Sequence, residues 1–146
     1  MSEQMEMFSE EKKEEEKKEP EVPQMDIRSV LLEMKDAPTK EKIEEWKALY
    51  GEVLVYGFSP TELYIFKPLS REEYVSLQLM TQDKQQKGEV VDLEMETVDV
   101  CVLWPRDERY EQLKKKAGTV TSLNERIMQD SNFVPSHLAP YLVVKL

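Results

Sequence analysis

The sequence predicts an α+β fold: a small, mostly helical domain of about four to five helices with one antiparallel β-hairpin, behind a disordered acidic arm. Three observations carry this. Two runs rich in β-branched and aromatic residues, 52–58 and 62–67, are separated by Ser59, Pro60 and Thr61, which is turn chemistry. On either side of them apolar residues recur at helical spacing, bracketed by capping residues. The composition also breaks near residue 25, where a Glu/Lys-dominated stretch gives way to a chain able to build a core.

The boundaries follow: an arm over residues 1–25, a single interaction domain over 26–134 and an apolar tail over 135–146, broken by Pro135 and Pro140. The arm holds nine glutamates against four lysines, which is half of the chain's net charge of −10. Pairs such as Glu14 and Lys18 favour a solvated helix, but the run 10–19 has no apolar face to pack. Pro20 and Pro23 stop it.

Within the domain, Ile27, Val30, Leu31 and Met34 fall at helical spacing, and Pro38 breaks that segment. Thr39 is a good N-cap for a helix over about 40–50, with Ile43, Trp46 and Tyr50 on one face and Gly51 beyond its end. The hairpin follows. Two strands alone are marginal in water, so a helix must cover one face. Pro68 ends the second strand, Ser70 with Glu73 forms a capping box, and a helix is predicted from about 71 to 86 with Tyr74, Leu77 and Met80 inward.

Residues 89–104 carry two signals. Val100 to Trp104 read as a buried strand, whereas Val91, Met95, Val98 and Val102 recur at helical spacing; the longer period favours helix. Pro105 terminates either. A helix over 107–117 is predicted to end in Lys114, Lys115 and Lys116, with Gly118 as its C′ residue. A last helix then starts at Thr121 or Ser122, the latter forming a capping box with Glu125, and runs to about residue 130. Leu123, Ile127 and Met128 face inward, with Phe133 just beyond.

At 146 residues the chain supports one domain and a tail. Its acidity argues against binding a phosphate backbone or an anionic membrane, so neither nucleic acid nor membrane is expected as partner. The one cysteine, Cys101, and the one histidine, His137, cannot build a disulfide framework or a thiolate metal site. No long apolar run reads as a membrane span or a signal peptide, and synthesis in a reducing cytoplasm is expected.

No constellation reads as an active site. Glu72 with Glu73, and Asp92 with Glu94 and Glu96, lack the Asp/Asn/Gly loop spacing of a cation site and read as solvated helix faces. Cys101, among valines, Leu103 and Trp104, reads as a buried structural thiol. No glycine-rich phosphate loop is present. The expectation is a non-enzyme with no cofactor and no metal. Hairpin aromatics cannot all point one way, so Tyr56, Phe58, Tyr64 and Phe66 are candidate partner-binding residues. Tyr141, Leu142, Val143 and Val144 are the other candidates, since a short apolar segment can add to an open sheet edge.

Several elements in order, Glu45-Trp46, Tyr50-Gly51, the stretch from Tyr64 to Tyr74 through Pro68, Cys101 to Pro105, and Ala117-Gly118 with Leu123 to Phe133, together resemble a family of tailed-bacteriophage proteins, the tail assembly chaperones and baseplate-hub accessory proteins. The resemblance covers roughly residues 40–133 and implies a chaperone that binds another tail protein, tape-measure or hub, in the host cytoplasm. Its alternative is a minor structural subunit that stays in the virion tail or baseplate, and a homo-oligomer is also open. An acidic mimic of nucleic acid is a different class, disfavoured because half the excess charge lies in the arm.

Overall fold

The computed structural model describes residues 26–146, so the expected disorder of the arm lies outside the described residues. The class is α+β. Helices α1 (Ile27–Glu33) and α2 (Lys40–Tyr50) precede strands β1 (Leu54–Ser59) and β2 (Glu62–Phe66). Helix α3 (Arg71–Gln86) follows, then α4 (Leu93–Cys101), β3 (Val102–Trp104), α5 (Glu108–Lys114) and α6 (Ala117–Asp130). Among the described residues there are thus six helices, more than the four to five expected, and a third strand joins the hairpin.

The sheet is antiparallel in the order β1-β2-β3, with β2 in the middle. Leu54 faces Phe66 and Val55 faces Ile65 on one side of β2; Trp104 faces Ile65 and Val102 faces Phe66 on the other. A shift in register between Gly57 and Ser59 leaves Phe58 as the bulged residue before the Pro60-Thr61 turn.

Alternation along β2 sends its side chains into two cores. Tyr64 and Phe66 meet Leu77 of α3, Val98 and Cys101 of α4, Leu113 of α5, and Leu123 and Ile127 of α6. Leu63 and Ile65 meet Leu31, Ile27 and Val30 of α1, Trp46 of α2 and Trp104. The sheet is therefore the middle of three layers, with four helices on one side and two on the other. That explains a central strand that is apolar at nearly every position. Each fully buried side chain of this size stabilises the fold by about 1.5–3 kcal/mol. Helix α2 is only lightly held: it has no buried residue, and Tyr50 is exposed.

Helix α1 approaches the sheet over Gly57. A Cβ there would lie 2.9 Å from Leu63 Cδ2 and 3.1 Å from Ile27 Cδ1. Gly57→Val is expected to lift α1 and cost about 1–3 kcal/mol by overpacking. Urea unfolding checks this; an unchanged midpoint would show that α1 does not press on the strand.

The helix ends follow local chemistry. The Thr39 hydroxyl accepts from the Lys42 N–H at 3.2 Å, and Gly51, at φ +82°, closes α2. The capping box at Ser70 and Glu73 forms in full. Glu73 also receives Lys67, a buried lysine whose Nζ donates to Glu73 Oε2 at 2.7 Å and lies 5.1 Å from the Tyr50 ring centre. Burial alone would raise the Glu73 pKa, but hydrogen bonds from Lys67 and Ser70 outweigh it and hold the carboxyl below its ordinary value. Nearby, the Leu69 N–H donates to Ser131 Oγ at 2.8 Å and that hydroxyl donates to the Ile127 carbonyl, tying the β2–α3 turn to the end of α6.

Three expectations need correction. Residues 89–104 are neither one helix nor one strand: Asp92 caps α4 through the Met95 N–H, and the chain passes from Cys101 directly into β3. The helical period stops because Val102 and Trp104 pair with β2, which completes a ladder and buries Val102. Gly118 is not a C′ residue, since α5 stops at Lys114 and Gly118 lies in the first turn of α6. The Ser122–Glu125 capping box does not form, because α6 begins five residues earlier; Thr119, Val120, Leu123 and Ile127 make one buried stripe that rewards the extension.

Candidate polypeptide-binding surface

The two sequence candidates differ in exposure: the hairpin aromatics are buried or half-buried, and the tail is exposed. Tyr64 and Phe66 point into the larger core and are buried, so they offer no surface; helices on both faces of the sheet leave no side of β2 open. Tyr56 and Phe58 are half-buried against the same core. Their rings lie 4.4 Å apart, and Phe58 meets Tyr64 edge-on at 5.9 Å, an aromatic ladder that stiffens the hairpin. The Tyr64 hydroxyl donates to Glu62 Oε1 at 2.8 Å; burial first, and the Glu62 carboxylate second, push its pKa up. These four aromatics hold the fold.

The tail is placed outward. After α6, Asn132 takes a left-handed φ of 65°, and Phe133 meets Tyr74 edge-on at 5.1 Å. Beyond it lies a 3₁₀ turn over Ala139–Tyr141 in which no residue is buried. Tyr141 is 83% exposed and Val144 81%, with Leu142 and Val143 close behind. The four side chains form one contiguous apolar run left in water.

A second apolar surface was missed at the sequence level. Helices α1 and α2 splay from β1 and leave a groove of about 400 Å³ over Leu31, Leu32, Ile43, Val53 and Val55. Its rim carries Arg28, Lys40 and Lys47. The available signal was Leu32, which lies beside the buried stripe of α1 with no place in it; it is 72% exposed.

The charged groups have structural tasks. Asp99 accepts from the Tyr110 hydroxyl at 2.7 Å and from Arg106 at 3.1 Å, while Arg106 stacks 4.0 Å over the Tyr110 ring. The Tyr110 bond, opposed by burial and helped by Arg106, lowers the Asp99 pKa. Arg109 lies 4.8 Å from the Trp104 ring and bridges Asp36 and Asp107, joining the two-helix layer to α5. Its hydrogen bonds bring Asp107 down to about 2. Glu94 accepts from Thr121 at 2.6 Å, and Glu96 lies 3.8 Å from Lys84. The acidic groups of α4 thus bind neighbouring helices to one another.

Cys101 is fully buried, and desolvation pushes its thiol up to about 12. Native chain is expected to leave this thiol unmodified by maleimide at neutral pH and to react once unfolded; fast modification of the folded chain would contradict its burial. His137 is exposed. Among the described residues no group of three or more His, Cys, Asp or Glu is arranged to hold a metal ion. Among them, too, no helix is long and apolar enough to cross a membrane. No family model, curated protein or solved structure matches this chain.

Proposed function

We propose that this chain is a non-enzymatic assembly chaperone that captures an aggregation-prone polypeptide, in the form the family resemblance implies, a tape-measure or hub protein of a phage tail in the host cytoplasm. The observation that carries the reading is the run Tyr141, Leu142, Val143 and Val144, apolar and exposed beyond the packed core. Such a segment lies along an apolar helix face of a client or adds as a strand to an open edge. The net charge of −10 keeps the loaded complex soluble.

Replacing Tyr141, Leu142, Val143 and Val144 together by serine is expected to leave the thermal midpoint unchanged, since the four side chains bury little. The same variant is expected to lose the gain in soluble client that the full chain gives on co-expression with the tape-measure or hub protein. Equal client solubility with both chains would sink the reading. Mass spectrometry of purified virions separates the two roles within it: a chaperone is absent from the particle, whereas a minor tail or baseplate subunit is present.

A further inference from the structure

The groove between α1, α2 and β1 has a chemistry of its own, separate from the tail. Its floor is aliphatic, and Leu32 stands almost free in it. Its rim holds three cations, Arg28, Lys40 and Lys47, against one carboxylate, Glu44, which pairs with Lys47 at 3.5 Å. Among the described residues Arg28 and Lys40 have no ion-pair partner. Three cations around one apolar trough are notable in a chain this acidic, and they select an occupant that is apolar on one side and negative on the other.

Residues 1–11 have that pattern. Met1, Met5 and Phe8 fall at i, i+4 and i+7, one stripe at helical spacing. Glu3, Glu6, Glu10 and Glu11 lie off that stripe, and the first lysine is Lys12. Methionine side chains suit an irregular trough because they adapt their shape at little cost. The connection is short: residues 12–26 span at most about 50 Å when extended. They join the chain at α1, the helix that forms one wall of the groove.

We infer that residues 1–11 dock in cis into the α1–α2–β1 groove, Met5 and Phe8 against Leu32 and Ile43, with the glutamates facing Arg28 and Lys40. The tether makes the contact intramolecular, so a weak segment suffices to fill the site. This inference is independent of the reading given to the tail.

The test uses the full chain carrying Gln4→Cys with a nitroxide on that thiol; Cys101 is buried and stays unlabelled. Amide signals of residues 28–32, 43–47 and 53–55 are expected to lose intensity relative to the reduced label, while residues 123–130 and 139–146 keep theirs. Because tethering alone brings the label near α1, the decisive comparison is with Met5→Glu/Phe8→Glu and with Arg28→Glu/Lys40→Glu. Both pairs are expected to restore the groove signals. Attenuation that is uniform, or unchanged in these variants, would overturn the inference. So would attenuation arising only when labelled chain is mixed with isotope-enriched unlabelled chain, which would assign the groove to a second copy.

Discussion

Phe66→Ala is expected to destabilise the domain by about 3–5 kcal/mol, the cost of emptying a large aromatic site in a core that cannot collapse around it. Phe66 is 1% exposed and sits on the central strand, paired across to Leu54 and to Val102. Its ring belongs to the cluster that joins β2 to helices α3 through α6. A domain of this size has about 5–15 kcal/mol in total, so one substitution removes a large fraction. Denaturant titration followed by far-UV circular dichroism checks it. Leu79→Ala, at a side chain of α3 that is 61% exposed, serves as the contrast and is expected to change the midpoint very little. Similar midpoints for the two would mean that the sheet's larger core does not hold the fold.

Glu73→Ala is the second large effect. The carboxylate is the partner of Lys67, whose side chain is 6% exposed, and it also completes the cap of α3. Removing it strands a buried ammonium group and frees the Ser70 N–H. A wholly buried pair costs about 3–5 kcal/mol to break from one side, and the partial exposure of Glu73 brings this to about 2–3 kcal/mol. Glu73→Gln keeps an acceptor for both donors and is expected to lose less.

The same pair sets a pH dependence. Because the folded Glu73 pKa lies below the ordinary glutamate value, the unfolded chain binds its proton first. The contribution is fully present above the unfolded pKa, near pH 5 and higher, and is lost as the pH falls through the folded pKa. Asp99, also held below its ordinary value, adds a loss of the same sign in the acid range. Thermal midpoints between pH 3 and 6 are expected to fall less steeply for Glu73→Gln than for the native chain. Parallel curves would show that Glu73 titrates alike in both states.

Much of this fold is legible locally because its boundaries are chemical. Thr39, Gly51, Pro68 and the Ser70–Glu73 box act through their own backbone neighbours, and the chain places each as its residue type demands. What escapes local reading is settled by partners distant in sequence. Val102 and Trp104 become a strand only because Phe66 and Ile65 stand opposite them; nothing between Cys101 and Val102 announces a break. Gly118 reads as a helix stop, yet burying Val120 carries α6 back across it. With open space around its Cβ position and a negative φ, Gly118 shows no feature that requires glycine.

The candidate site divides the same way. An apolar segment beyond a proline-broken stretch is visible in the sequence, and the exposure of Tyr141 to Val144 follows from it. Sending Tyr64 and Phe66 inward requires knowing that α3 to α6 cover that face of the sheet, while α1 and α2 cover the other. The cationic groove needs more still, because Arg28, Lys40 and Val53 converge only once three elements meet.

The proposed chaperone role requires another polypeptide to cover the exposed segment from Tyr141 to Val144. Amide hydrogen exchange of residues 139–146, in the chain alone and in its complex with co-expressed tape-measure or hub protein, tests this most directly. Fast exchange is expected in the free chain and marked slowing in the complex, with the core of α6 unchanged in both. Exchange at the same rate in the two states would contradict it.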